Sequence, residues 1–168
     1  MAGASKNHQR LVTKLVQKIA NHLENTPCEV FNSDLKVRAD SGAKYFYPDV
    51  LVVCEDDNTD EYYTQSPRLI VEVLSNATRK LDNTLKRQAY QNLPSLEEYV
   101  LIEQSFVEIE VSRRAEHWQP HFYYLDDTLY LSSIDFSLPV VEVYQRVDNE
   151  EMRDFAKKLT DSTLTPDI

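Results

Sequence analysis

The sequence predicts an α/β fold: a mixed β-sheet core flanked by helices, with an antiparallel extension toward the C-terminus. Three observations carry this reading. Residues 8–23 repeat apolar side chains at helical spacing. Two apolar runs of strand type, Tyr47 to Cys54 and Arg68 to Leu74, follow and are succeeded by a second helical pattern. Beyond Pro94 the chain turns to short strands separated by turn residues. Buried strands alternating with amphipathic helices require a sheet covered on its faces. With 168 residues, the chain is expected to form one domain over residues 1–168 and to bury a core without metal or disulfide support.

Taken in order, His8, Leu11, Val12, Leu15, Val16, Ile19, Ala20 and Leu23 make the stripe of one long helix, with Ser5 as its cap and Asn25-Thr26-Pro27 as its stop. Cys28 to Arg38 alternates and reads as a strand, and Ala39 to Lys44 reads as the turn of a hairpin into the Asp49 strand. Glu55 to Ser66 is acidic and aperiodic and reads as a surface loop. In Arg68 to Ser75, Leu69, Val71 and Val73 line one face while Ile70, Glu72 and Leu74 line the other. From Thr78 to Asn92, Leu81, Leu85 and Ala89 form a helical stripe bordered by the polar column Asp82, Lys86 and Tyr90, and Pro94 ends the segment. Glu98 to Gln104 and Phe106 to Arg113 read as strands joined by a tight turn. Trp118 to Leu125 and Thr128 to Leu131 extend the antiparallel part, and Asn149 to Lys158 reads as a terminal helix.

The formal net charge of −10, from 28 acidic and 18 basic residues, argues against nucleic-acid binding by a broad basic surface, because such affinity comes from neutralising phosphates. Any such contact must be local. Cys28 and Cys54 form no Cys-x-x-Cys motif and lie in strand-like runs, so reduced core thiols are expected. No signal peptide or spanning apolar run is evident, and a cytoplasmic location is expected. His117 and His121 have a metal-like spacing, but Pro120 breaks a shared helix face, so they read as exposed histidines. Ser75 lies outside any Gly-x-Ser-x-Gly elbow, and two glycines in the whole chain supply no phosphate-cradling loop and no nucleotide-cofactor site. Tyr45, Phe46 and Tyr47 read as cross-strand packing residues rather than base-stacking ones.

The chemically informative residue is Glu72, a carboxylate inside an apolar strand. Such a group must be paired, hydrogen-bonded, metal-bound or protonated. If the strands carrying Asp49 and Glu72 pair and the following helix packs over their shared end, Asp49, Glu72 and Lys86 converge. Two carboxylates suit a hard divalent cation, magnesium or manganese, which takes oxygen ligands and activates water for attack on a phosphodiester. Lysine then stabilises charge or positions the water. Taken one at a time, a turn aspartate, an ion-paired glutamate and a solvated lysine account for the same residues.

Tyr47-Pro48-Asp49 followed by Ile70-Val71-Glu72-Val73-Leu74-Ser75 resembles the PD-(D/E)XK nuclease superfamily. More narrowly, the chain resembles the Uma-two family of restriction-endonuclease-like proteins. The residues carrying the likeness are His8, Pro48-Asp49-Val50, Pro67 to Ser75, Thr78-Arg79, Asp82, Lys86, Tyr90, Pro94 to Ile102, and Leu138 to Tyr144. The resemblance implies a restriction-endonuclease-like core and magnesium-dependent hydrolysis of DNA. On that pattern Asp49 and Glu72 are metal ligands, Lys86 is the basic catalytic group, and His8, Asp82 and Tyr90 support them. Arg79, Lys80 and Arg87 stand beside the site as DNA contacts, and a homodimer, joined through the apolar faces near the antiparallel Glu98 to Arg113 strands, is expected to address both strands. Two departures stand out. The superfamily lysine two residues after the glutamate is Leu74 here, so the basic role moves to Lys86, with Lys36 as the weaker candidate. The chain also starts almost at the first helix, without the leading stretch usual in the family, so an edge hairpin and any acid it supplied are expected to be missing. The rival expectation is a non-catalytic nuclease-like fold acting as a protein- or DNA-binding module.

Overall fold

The structure is a computed structural model that describes residues 4–39, 44–55, 60–76, 79 and 82–163, with Asp82 and Asn83 described by backbone alone. Helix α1 (Lys6–Leu23) opens it, capped by the Ser5 hydroxyl accepting from the His8 N–H at 3.1 Å. Its apolar stripe buries Leu11, Val12, Leu15, Ile19 and Leu23. Strand β1 (Glu29–Asn32) follows, then β2 (Lys36–Ala39), β3 (Lys44–Phe46), β4 (Val50–Val53), β5 (Tyr63–Thr64) and β6 (Pro67–Leu74).

The expected strand over Cys28 to Arg38 is interrupted at Ser33, where φ is 27°. The break sends β1 and β2 into different sheets. The alternation of Asn32, Asp34 and Ser33 is that of turn formers, and the turn won over strand continuity. The acidic stretch read as loop contributes β5, which pairs in parallel with β2 and buries Thr64.

The main sheet has the order β1-β4-β6-β7-β8-β9, completed by β7 (Glu98–Glu103), β8 (Ile109–Arg113) and β9 (Pro120–Tyr123). Neighbours are antiparallel except β6 and β7, which run parallel. Leu69, Val71 and Val73 face one core cluster with α1, as the alternation predicts, while Ile70 and Leu74 face a second. A small sheet, β3-β2-β5, stands beside that second cluster. Between β6 and β7 lie a π-helical turn, Asp82–Lys86, and the short helix α2 (Arg87–Gln91). The regular helix expected over Thr78 to Asn92 is therefore corrected from Asp82 onward, while Thr78, Lys80 and Leu81 lie outside the described residues. Leu85, assigned to its stripe, is 57% exposed, whereas Ala89 and Tyr90 are buried.

The extension comprises the antiparallel hairpin β10 (Thr128–Leu131) and β11 (Phe136–Pro139), followed by α3 (Val140–Val143) and α4 (Glu150–Thr163). The hairpin forms its own two-stranded sheet. A buried ion pair ties it to β7. Glu98 Oε1 accepts from Arg113 Nε at 3.1 Å and from the Ser132 N–H at 2.6 Å, and Arg113 reaches the Tyr130 carbonyl at 2.7 Å. Burial disfavours the Arg113 charge, but hydrogen bonding to Tyr123 and the nearby Glu98 carboxylate leave its pKa above the ordinary value.

Two expectations about surfaces and thiols need correction. Cys28 and Cys54 are joined in a disulfide. The β1/β4 register pairs Glu29 with Val53, and carrying it one residue further sets the two cysteines opposite each other. The apolar faces of the Glu98 to Arg113 strands, expected to serve self-association, are buried against the chain's own core.

Candidate active site

The site is built by strand register. β4 and β6 pair antiparallel with Val50 opposite Val71, so Asp49, one residue before β4, stands opposite Glu72. Their side chains therefore share a face. The Asp49 N–H lies 3.4 Å from Glu72 Oε2, and Asp49 Oδ2 accepts from the Val73 N–H at 2.8 Å. Glu72 is 1% exposed. From the far side, Lys86 Nζ donates to Glu72 Oε1 at 3.0 Å and the Tyr90 hydroxyl donates to the same oxygen at 3.2 Å. Tyr90 is itself clamped, its ring 5.5 Å from Phe46 and 5.7 Å from Tyr99 between centroids.

Helix α1 supplies the third wall. His8 Nε2 lies 3.2 Å from Asp49 Oδ2, and its Nδ1 is buried without a hydrogen-bond partner. The N-terminus of α1 is fixed by the Ser5 hydroxyl, which donates to Gln104 Oε1, while Gln104 Nε2 donates to the Leu74 carbonyl at 2.8 Å. Ser5 and Gln104 thus set where His8 stands, a role that nothing in their spacing indicates in advance.

The structure brings together Asp49, Glu72, Lys86, His8 and Tyr90. The side chain of Asp82 and all of Lys80 lie outside the described residues. Arg79 and Arg87 are engaged. Arg79 forms a bidentate pair with the buried Glu103, one arm at 2.9 Å, and Arg87 reaches Glu110 at 2.8 Å and stands 5.7 Å from the Tyr99 ring centroid. Lys36 sits on β2 with its ammonium 5.8 Å from the Tyr45 ring centroid. Glu103 was not singled out from sequence. The available signal was its place at the end of an apolar strand, the same signal that marked Glu72.

Two carboxylates against one ammonium leave the site net negative, which suits a cation. Among the described residues no group of three or more His, Cys, Asp or Glu is arranged to hold a metal. Magnesium does not need one, since it commonly binds one or two carboxylates and completes its shell with water and phosphate oxygens. The donors fit that ion. The His8 contact to Asp49 is the kind of outer hydrogen bond that orients a ligating carboxylate.

A sheet of this order, with an acid at the head of one central strand, an acid inside its neighbour and a lysine from the following helical turn, defines a restriction-endonuclease-like α/β protein. The fold is shared with a crystal structure described as a "putative nuclease belonging to DUF820" from Anabaena variabilis. It superposes with a TM-score of 0.66 at 15% identity over 84% of this chain and 82% of that one. The Uma2 family model, described as "Putative restriction endonuclease", matches residues 1–153. The chain belongs to that family. Two relatives from Synechocystis sp. PCC 6803 are similar: the uncharacterized protein slr1290, 35% identical over 86% of this chain and 78% of its own length, and the uncharacterized protein sll1609, 37% identical over 71% and 66%. Among the described residues, no helix is long and apolar enough to cross a membrane.

Proposed function

We propose that this chain is a divalent-metal-dependent endodeoxyribonuclease, with Asp49 and Glu72 holding magnesium or manganese and Lys86 as the basic catalytic group. The observation that carries the reading is the convergence of three groups from two chain segments, the Asp49 N–H and the Lys86 and Tyr90 side chains, on one buried carboxylate, Glu72. When bound, the cation supplies charge neutralisation for the phosphodiester and a more acidic water. Asp49 and Glu72 would hold the cation through their carboxylate oxygens. Lys86, 12% exposed at its side chain, keeps its ammonium at the rim of the site, where it donates to Glu72 and orients a water or a phosphate oxygen. His8 holds Asp49 in place through Oδ2, and Tyr90 holds Glu72 through Oε1. Asp82 completes the supporting set on the family pattern.

Arg79, Lys80 and Arg87 contribute DNA contacts on this reading, with Arg79 and Arg87 exchanging part of their carboxylate pairing for phosphate. A homodimer places two such sites on the two strands of a duplex. We further read residues 1–168 as one domain acting in the cytoplasm. The test is cleavage of supercoiled and linear duplex DNA with magnesium or manganese, comparing wild type with Asp49→Ala. Metal-dependent nicking that the substitution removes supports the reading. No cleavage by wild type with either ion, in a protein that binds neither by calorimetry, favours the non-catalytic module, for which the carboxylate-neutralised Arg79 and Arg87 already speak.

A further inference from the structure

The arginines nearest the site are paired with glutamates, yet a nuclease must hold a polyanion with a chain of net charge −10. Cations without a carboxylate partner among the described residues lie on the other face of α1 and beside it. That helix contains no Asp or Glu, and Lys6, Arg10, Lys14 and Lys18 recur along it at four-residue intervals. Each interval advances roughly 6 Å along the axis, a spacing comparable with that between neighbouring phosphates of one nucleic-acid strand. Between α1 and the segment after α3 lies a cleft of about 400 Å³, with Arg10, Lys14 and Arg146 in its lining and no carboxylate. The other clefts described each contain Asp or Glu.

The partners of these cations are neutral. Arg10 donates to Asn7 Oδ1 at 3.1 Å, Lys14 donates to Gln145 Oε1 at 2.9 Å, and Arg146 forms no ion pair with a described residue. Lys18, by contrast, is held by Glu142 at 3.1 Å. Gln9, Gln17 and Gln145 add amide groups to the same walls. A groove that carries three full positive charges, with no acid in its lining, on a strongly acidic protein suits an anion. The same helix presents His8 to Asp49 at its first turn, so the groove and the candidate active site share one helix.

We propose that Arg10, Lys14 and Arg146 form a phosphate-binding groove that anchors the DNA backbone outside the cleavage site. The identity of the ligand rests on the nuclease reading; the anion class rests on the groove alone. Each neutralised phosphate contributes about −0.9 to the slope of log affinity against log salt. The experiment is anisotropy of a short labelled DNA duplex over a salt series, without divalent metal, on the full chain. The variants are Arg10→Ala/Lys14→Ala/Arg146→Ala, the single Arg10→Glu, and Lys157→Ala/Lys158→Ala as a charge control on α4, each verified as folded by circular dichroism. The groove variant is expected to bind at least tenfold more weakly at low salt with a slope shallower by roughly 2–3, Arg10→Glu to weaken binding in the same direction, and the α4 variant to stay within about twofold of wild type. Wild-type slope and affinity in the groove variant, an equal loss in the α4 control, or no DNA binding by wild type each overturns the proposal. Cleavage is measured in parallel on Asp49→Ala. Groove-dependent binding by a wild type that never cleaves upholds the groove and sinks the nuclease reading. Cleavage lost in Asp49→Ala beside unaltered binding in the groove variant does the reverse.

Discussion

Replacing Lys86 with methionine isolates the energetics of the buried carboxylate. The side chains of Glu72 and Lys86 are 2% and 12% exposed, and Nζ to Oε1 is 3.0 Å. Removing one member of a buried ion pair leaves the other charge uncompensated, at a cost of about 3–5 kcal/mol. The Tyr90 hydroxyl and the Asp49 N–H remain as donors to Glu72, and methionine keeps most of the packing of the lysine stem, so the low end, about 3 kcal/mol, applies. For a chain of this size each kcal/mol moves Tm by roughly 2–4 °C, which gives a fall of roughly 6–12 °C. The loss should be larger at about pH 8 than at about pH 5.5, because an unpaired buried carboxylate is relieved by taking up a proton. The double variant Glu72→Gln/Lys86→Met, which buries no charge, should recover to within about 1 kcal/mol of wild type. Thermal unfolding followed by circular dichroism at the two pH values reads all three quantities. A Lys86→Met protein as stable as wild type, or a double variant no better than the single, would show that the pair does not act as a buried ion pair.

Other outcomes follow from the same geometry. Glu72→Gln should lower magnesium or manganese affinity at least tenfold by calorimetry while the fold persists; unchanged affinity would assign Glu72 a purely structural role. Lys86→Ala should abolish turnover and leave metal binding largely intact, whereas Lys36→Ala should cleave nearly as wild type, and the opposite pattern would exchange their roles. Cys28→Ser removes a link spanning 26 residues, for which loop closure gives about 3.5 kcal/mol; Tm should drop by roughly 7–14 °C, and a reductant should produce the same drop in wild type and none in the variant. Burial first, then the neighbouring Glu103 and Glu110, raise the Glu108 pKa above its ordinary 4.5. The folded state therefore favours the protonated form, and stability is lost as pH rises through the raised value. Glu108→Gln should flatten that fall in urea melts run from pH 4.5 upward, and a parallel fall in the variant would assign the dependence to other groups.

Strand β6 was legible because its alternation is forced by two buried faces, and Glu72 was legible because a charge is costly among Ile70, Val71 and Leu74. Helix α1 was legible from its stripe and its serine cap. What failed was local competition. Ser33 in a left-handed conformation split one alternating run between two sheets, and a π-helical turn rotated Leu85 outward while keeping Lys86 on Glu72. The disulfide was hidden because it depends on the β1/β4 register, which a sequence separation of 26 does not reveal. At the candidate site, the structure brings together Asp49, Glu72, Lys86, His8 and Tyr90, the residues that the sequence pattern singles out, whereas the carboxylate partners of Arg79 and Arg87 come from strands later in the chain and lie outside that pattern.

Strand β7 reads Glu98-Tyr99-Val100-Leu101-Ile102-Glu103, and all six residues are buried. Tyr99 and Leu101 face one cluster, Val100 and Ile102 the other. A slide of two residues along β6 would preserve that alternation, so apolar burial alone discriminates weakly between neighbouring alignments. The terminal acids do discriminate. Glu98 finds Arg113, Ser132 and Ser133 at one end, and Glu103 finds Arg79 at the other. Displaced by two positions, both carboxylates would be buried without these donors, a penalty of several kcal/mol. The strand is thus indexed like a ruler with a stop at each end, and because β6 takes its alignment from β7, the stops also determine where Glu72 comes to rest.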